Sequence, residues 1–262
     1  MKEAPLWSRT HIQKALGDTL HLGGLELTEY LVTQAGIKPD WRVLDVACGT
    51  GQSVVHLRRR HGVKAFGCDV LFSQIKSAQN QGISTRFTPL SVADAHEIPF
   101  LCGSMDMILC ECALSLMQSP IKALQSMRSV LKKDGILAIS DLYLQGGSQY
   151  GMKDGMKHTM QHDMAKSPLP QGSCLTWAAH KKSIEKLVCD AGFELISFED
   201  HSYLLKELAA KLAFIGEQGT CAAQDSHHKS CSCMNSRNRT AQVGYFTLLA
   251  KVARHCGQIK NI

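Results

Sequence analysis

The stretch Val43-Leu44-Asp45-Val46-Ala47-Cys48-Gly49-Thr50-Gly51 decides the predicted fold. It is an apolar run that ends in a glycine-rich turn, which is typical of a buried β-strand. Residues Gln52–Arg60 follow with the apolar spacing of a helix. We therefore predict a strand over Arg42–Ala47, a tight turn and a helix, the first unit of a nucleotide-binding type of α/β fold.

The same alternation continues along the chain and predicts an α/β fold, a Rossmann-like doubly wound and mostly parallel seven-stranded sheet. Further strands are predicted at Val63–Cys68, Ser84–Pro89, Met105–Cys110, Ile136–Ser140, Phe193–Phe198 and Gln242–Val252, and further helices at Phe72–Gln81, Pro120–Leu131, His180–Ala191 and Tyr203–Ile215.

The predicted domain organisation is a helical N-terminal segment and one large domain. Residues 1–40 form either a lid over the site or a helix packed on the sheet edge, and residues 41–262 form the sheet domain. An insertion is expected at about 145–173, because this stretch has no clear strand and is rich in Gly, Met, Lys and His. A Cys- and His-rich loop is expected at about 216–240.

Composition excludes several classes of protein. The chain has 262 residues, 44% of them hydrophobic, and a net charge of +6. Its cations are spread along the sequence, so we expect no nucleic-acid partner. No apolar run approaches the ~20 residues that cross a bilayer, and no secretory pattern is present, so we expect a cytoplasmic protein without membrane insertion. The oligomeric state stays open.

The glycine turn allows three kinds of ligand, and its neighbours discriminate between them. A P-loop needs Gly-Lys-Ser/Thr, but Gln52-Ser53 follow Gly51, and the turn also lacks the third glycine of a dinucleotide motif. Asp45, expected to be ionised, would repel a pyrophosphate in this place. S-adenosyl-L-methionine (SAM) carries a sulfonium and an ammonium and no phosphate, and therefore fits better.

Two further acids follow later strands. Asp69 ends the second strand, about 20 residues beyond the turn, where an acidic side chain can bind both ribose hydroxyls. Asp94 follows the third predicted strand, where a carboxylate can accept a hydrogen bond from the adenine amino group. The order of these acids on successive strand ends favours an adenosine-containing cofactor.

These stretches resemble the class I SAM-dependent methyltransferases. The resemblance is carried by VLDVACGTG (43–51), GCDV (67–70), VADAHEIPF (92–100), MDMILCECAL (105–114) and LKKDGILAISD (131–141). It implies the fold, SAM as cofactor and methyl transfer to an acceptor that it does not identify. The cofactor-binding residues that we assign are Asp45, Ala47, Gly49, Gly51, Asp69, Val70, Asp94, Ala95 and Cys110.

The sequence identifies no general base. Methyl transfer is an in-line displacement that depends mainly on alignment and exclusion of water. The two candidates for a catalytic role are Glu111 and Cys174, and Glu111 is equally suited to positioning the cofactor. A small-molecule methyl acceptor is the expected partner.

The segment Gly172–Ala179 resembles the part of arsenite methyltransferases that carries an arsenic-binding cysteine. Cys174 falls on that position, although the further cysteine usual after the glycine turn is missing. The alternatives are thus a small organic acceptor, a thiophilic centre such as As(III), or a non-catalytic metal- or metalloid-binding protein on a SAM-binding scaffold. The candidate metal ligands are Cys174, Cys221, Cys231 and Cys233.

Overall fold

The computed structural model describes residues 10–17, 19–145, 179–219 and 242–254. The helices of this part are α1 (Thr10–Leu16), α2 (Gly24–Gln34), α3 (Gln52–His61), α4 (Phe72–Asn80), α5 (Pro120–Val130), α6 (Lys181–Asp190) and α7 (Tyr203–Gly219), with a 3₁₀ turn at Leu114–Leu116. The strands are β1 (Arg42–Val46), β2 (Lys64–Asp69), β3 (Leu90–Val92), β4 (Met105–Glu111), β5 (Leu131–Gln145), β6 (Phe193–Asp200) and β7 (Gln242–Val252).

Over the described residues, the strands form one seven-stranded sheet in the order β3-β2-β1-β4-β5-β7-β6. The pairs from β3 to β5 are all parallel, and β7 runs antiparallel to both β5 and β6. The predicted fold class is therefore confirmed. Because the neighbouring strands β2, β1, β4 and β5 are parallel, their carboxyl ends lie along one edge of the sheet.

The central strands are buried on both faces, as expected for a parallel sheet covered by helices. Along β4, Ile108 belongs to one apolar cluster, whereas Met107 and Leu109 belong to a second cluster. Alternate side chains of a strand point to opposite faces, so these clusters form the two layers of the core. This packing explains why β4 is the most apolar strand in the sequence.

The third strand begins later than predicted. The interval Ser84–Pro89 was expected to be extended, but the structure has a turn there, in which Thr85 Oγ1 accepts hydrogen bonds from the backbone N–H groups of Phe87 and Thr88. The strand β3 follows at Leu90–Val92 and pairs with the end of β2. The Thr85 side chain thus closes a local turn that competes with the extended conformation.

The fifth strand is much longer than the predicted Ile136–Ser140. It extends over Leu131–Gln145, and its second half pairs with β7 from Ile136 to Gln145. The long antiparallel partner supplies backbone hydrogen bonds well beyond the apolar run, which the local sequence pattern does not reveal.

The N-terminal segment packs on the C-terminal half of the chain. Leu22 and Leu27 form an apolar cluster with Leu204 of α7 and with Tyr245, whose side chain is fully buried at the start of β7. The residues between α1 and α2 are therefore held close to the carboxyl edge of the sheet. This packing is compatible with the predicted lid.

Gly67 of β2 is a place where a side chain would disturb the glycine turn. A Cβ at this position would lie 2.7 Å from Cys48 Sγ and 2.7 Å from Leu90 Cδ2. Gly67→Ala should therefore lower the free energy of unfolding by about 1–3 kcal/mol, measured by urea denaturation. Adding Cys48→Ala removes one of the two clashing atoms and should recover part of that loss. A Gly67→Ala variant as stable as the wild type would contradict this account of the turn.

Candidate active site

The glycine turn after β1 has a backbone that favours glycine at two places. Gly49 and Gly51 have φ of 54° and 83°, and Ala47 also lies in the left-handed region with φ of 64°. The turn is fixed by backbone hydrogen bonds, from Cys48 N to Cys68 O at 3.0 Å and from Gly51 N to Cys48 O at 2.8 Å. It thus forms a tight, preformed concavity at the carboxyl edge of the sheet.

Asp69 ties this turn to the end of β2. Its Oδ2 accepts a hydrogen bond from Gly49 N at 2.9 Å, and its Oδ1 accepts one from Leu71 N at 2.8 Å. Burial raises the pKa of Asp69, and the two backbone N–H donors oppose that rise. The carboxylate predicted to bind ribose therefore also holds the loop in shape.

Asp45 is buried at the carboxyl end of β1. Burial raises the pKa of Asp45 well above its usual value, and the negative charges of Glu111 and Asp69 raise it further. Burial and these charges disfavour the ionised form of Asp45 that the sequence predicts, and a cation close to the carboxyl group would favour it. Three carboxyl groups from three parallel strands thus interact electrostatically at this edge.

Glu111, at the end of β4, is held by the N-terminal segment. Thr28 Oγ1 of α2 donates a hydrogen bond to Glu111 Oε2 at 2.9 Å, and His21 Nε2 lies 3.6 Å from the same oxygen. Glu111 Oε1 is buried and has no hydrogen-bond partner among the described residues. Sequence reasoning did not find His21 or Thr28, since no local pattern connects them to a strand more than 80 residues away.

The residue before His21 covers the glycine turn. A Cβ added to Gly49 would lie 3.6 Å from Leu20 Cδ1, which is ordinary van der Waals contact. The segment between α1 and α2 therefore comes close to the glycine turn.

Asp94 is held in a defined orientation by His96. Ser119 N donates to His96 Nε2 at 3.2 Å, so the ring proton lies on Nδ1, which donates to Asp94 Oδ1 at 2.5 Å. The backbone N–H of His96 donates to the same oxygen and, together with the ring, lowers the pKa of Asp94. The side chain is 57% exposed, so Oδ2 can accept a hydrogen bond from a ligand.

The other assigned cofactor residues differ in their exposure. Val70 is 62% exposed beside the end of β2 and offers an apolar surface, and Ala95 is half-buried. The side chain of Cys110 is fully buried in the core, and burial raises the pKa of its thiol. Any contact between a ligand and Cys110 must therefore involve its backbone.

Asp141 of β5 holds the 3₁₀ turn that follows β4 in place. Its carboxylate accepts hydrogen bonds from the backbone N–H and the hydroxyl of Ser115, both at 2.8 Å, and from Leu142 N at 2.7 Å. Burial raises the pKa of Asp141 to about 6 despite these donors. The carboxylate thereby anchors the 3₁₀ turn that follows β4.

The predicted cysteine site lies outside the described residues. This applies to Cys174, Cys221, Cys231 and Cys233, so their role as metal or metalloid ligands stays a prediction. Within the described ranges, no group of three or more His, Cys, Asp or Glu side chains is arranged to hold a metal ion. In the same part of the chain, no helix is long and apolar enough to span a bilayer.

Comparison with known proteins assigns the family. The model of a methyltransferase domain matches residues 37–202. The chain is 26% identical over 223 residues to methyltransferase GfsG of Streptomyces halstedii, covering 79% of this chain and 75% of that protein. It is 30% identical over 186 residues to O-methyltransferase rstn1 of Aspergillus nomiae, covering 70% of this chain and 77% of the relative.

A solved structure supports the same fold. Phosphoethanolamine N-methyltransferase 2 of Haemonchus contortus, in complex with SAM, superposes with a TM-score of 0.70 at 16% identity. The match covers 93% of this chain and 56% of that one. The chain belongs to the methyltransferase domain family and is a SAM-dependent methyltransferase of the class I fold.

The raised pKa of Asp141 has a consequence for stability. Its folded-state pKa of about 6 lies above the unfolded value, so the folded state binds the extra proton and its stability falls as the pH rises from about 4 through 6. Asp141 should account for up to about 3 kcal/mol of this fall. Urea denaturation between pH 4 and 8 should show a steeper fall in the wild type than in Asp141→Asn, in which Asp45 and Asp69 still contribute. Parallel curves for the two proteins would refute the assignment.

Proposed function

We propose that this chain transfers a methyl group from SAM to a small molecule, and that the cofactor is bound along the carboxyl edges of β1, β2 and β4. The residues proposed to bind it are Asp45, Ala47, Gly49, Gly51, Asp69, Val70, Asp94, Ala95 and the backbone of Cys110. The observation that carries the proposal is the buried Asp45 carboxyl, which interacts with the charges of Asp69 and Glu111.

The charges of the site fit SAM better than a phosphate-bearing cofactor. Asp45 is buried beside two other carboxylates, and Glu111 Oε1 is a buried acceptor that lacks a partner among the described residues. A cationic ligand lowers the electrostatic cost of ionising these groups, whereas a pyrophosphate would raise it. When bound, SAM supplies an electrophilic methyl group on a sulfonium.

The residues of the chain orient and shield the bound group. The carboxylates of Asp45 and Glu111 favour the positively charged end, and Asp69 presents an acceptor at the end of β2. Asp94, fixed by His96, suits an amino group at the far end. Leu20 lies near the turn and offers an apolar side chain beside the proposed cofactor.

The names of the relatives support a small acceptor without fixing the atom that is methylated. Rstn1 is named an O-methyltransferase, and UbiE of Paraburkholderia phymatum, 30% identical over 129 residues, is named a ubiquinone/menaquinone biosynthesis C-methyltransferase. The second name concerns a small organic molecule. The thiophilic alternative depends on Cys174 and the cysteines of the 216–240 loop and stays a prediction from the sequence.

The cofactor assignment is tested most simply at Asp69. Asp69→Asn replaces a charged acceptor by an amide, so the affinity for S-adenosylhomocysteine, measured by calorimetry, should fall roughly 10- to 100-fold. Asp106→Asn is the matched control, because Asp106 also accepts a backbone hydrogen bond, from Arg42 N at 2.9 Å, but at the opposite edge of the sheet.

The control should bind S-adenosylhomocysteine with an affinity within about twofold of the wild type, since a group at the far edge of the sheet contributes little to a ligand on this one. Equal affinities for Asp69→Asn and the wild type would exclude Asp69 from the cofactor site. Equal losses in both variants would indicate a general loss of stability instead.

A further inference from the structure

At the carboxyl edge of the sheet, two buried polar atoms have no hydrogen-bond partner among the described residues. They are Nε2 of His21, in the connection between α1 and α2, and Oε1 of Glu111, at the end of β4. The two side chains are only 9% and 4% exposed, and His21 Nε2 lies 3.6 Å from Glu111 Oε2. Buried polar groups are normally hydrogen-bonded, so two such atoms at the edge of the sheet that carries the proposed cofactor site point to a bound ligand.

The hydrogen bonds around the pair fix the position of one proton. His21 Nδ1 lies 3.3 Å from Leu22 O, and a carbonyl oxygen can only accept, so Nδ1 carries the ring proton. In the neutral ring, Nε2 therefore holds a lone pair. Thr28 Oγ1 donates to Glu111 Oε2 and so orients the carboxylate towards this nitrogen.

The Glu111 carboxylate lies beside this lone pair, with Oε2 3.6 Å from Nε2. A proton that a reacting group delivers to Nε2 would therefore form a charge-assisted pair with Glu111 Oε2. The neighbouring groups Cys110 and Tyr245 cannot replace His21 as the base. Burial raises the pKa of both well above their usual values, so both keep their protons near pH 8. Asp45, the remaining neighbour, also has a raised pKa through burial.

The pair lies at the same edge of the sheet as the proposed cofactor site. Leu20, the residue before His21, lies near the glycine turn, and the charge of Glu111 acts on Asp45. The N-terminal segment therefore places His21 next to the strand end that carries Glu111.

We propose that His21 is the general base of this enzyme, that Glu111 stabilises its protonated form, and that the acceptor is a small molecule methylated on a hydroxyl oxygen. This inference rests on the proposed function. The acceptor oxygen forms a bond to the methyl carbon, the carbon–sulfur bond breaks with its electron pair left on sulfur, and the hydroxyl proton moves to His21 Nε2.

A hydroxyl is the acceptor class that needs such a base. A phenol has a pKa of about 10 and is a weak nucleophile while it keeps its proton. Thiols ionise more readily, and neutral amines already carry a free lone pair, so neither requires a buried histidine and carboxylate.

The first test examines the ring nitrogens directly. Nitrogen-15 NMR of the S-adenosylhomocysteine complex at pH 8, with His21 assigned through the variant His21→Gln, should show a proton on Nδ1 and a bare Nε2. The opposite tautomer would overturn the proposal. Failure of the wild type to bind S-adenosylhomocysteine would instead overturn the proposed function, so the two failures are distinguishable.

The second test uses labelled SAM with catechol, thiophenol and aniline as probes. Methyl transfer to catechol oxygen is expected, with kcat at least about 100-fold lower in His21→Ala and partly restored by added imidazole. The affinity for S-adenosylhomocysteine should change less than about threefold. Glu111→Gln should lower kcat and displace the pH dependence of kcat, which a purely structural role would leave in place.

The matched control is His56→Gln. Like His21, His56 pairs with a glutamate, because its Nε2 lies 2.9 Å from Glu29 Oε2. This pair joins α2 to α3 and does not include Glu111. The kcat and the pH profile of His56→Gln should match those of the wild type. Transfer to the thiol or the amine alone, or a His21→Ala enzyme that methylates catechol at the wild-type rate, would refute the inference.

Discussion

The proposed site depends on the carboxyl group of Asp45, whose ionisation is made unfavourable by burial and by two neighbouring carboxylates. Asp45 lies near the carboxyl end of β1, and the charges of Asp69 and Glu111 add to the cost of its burial. A neutral side chain at this position would avoid that electrostatic cost. The cost is offset if a positively charged ligand binds beside it, and this makes Asp45 the residue that connects the fold to its cofactor.

The rest of the architecture places groups around this carboxyl. The parallel sheet brings Asp69 and Glu111 to the same edge, and Asp69 shapes the glycine turn through Gly49 N. The N-terminal segment closes the other side with Leu20, His21 and Thr28, and it is held there by its apolar packing on α7 and β7. One sheet edge thus carries the proposed cofactor-binding residues, and the segment between α1 and α2 carries the proposed base.

Local patterns in the sequence were enough for the fold and for half of the site. The glycine turn, Asp69 and Asp94 follow strands whose apolar runs are recognisable, so their order on the sheet edge could be predicted. The third strand was misplaced because the Thr85 side chain closes a turn that its residue types do not reveal. The pairing of Thr28 with Glu111 spans 83 residues and exists only through tertiary packing, so the role of His21 could not be read from the chain.

The central claim is that burial and the neighbouring carboxylates disfavour ionisation of Asp45 in the free protein, and that the cationic cofactor favours it on binding. Calorimetry of SAM binding, in two buffers that differ in ionisation enthalpy and between pH 5 and 8, counts the protons exchanged on binding. The account predicts a net release of protons in the wild type that is lost in Asp45→Asn. Equal binding heats in both buffers across this range would contradict it.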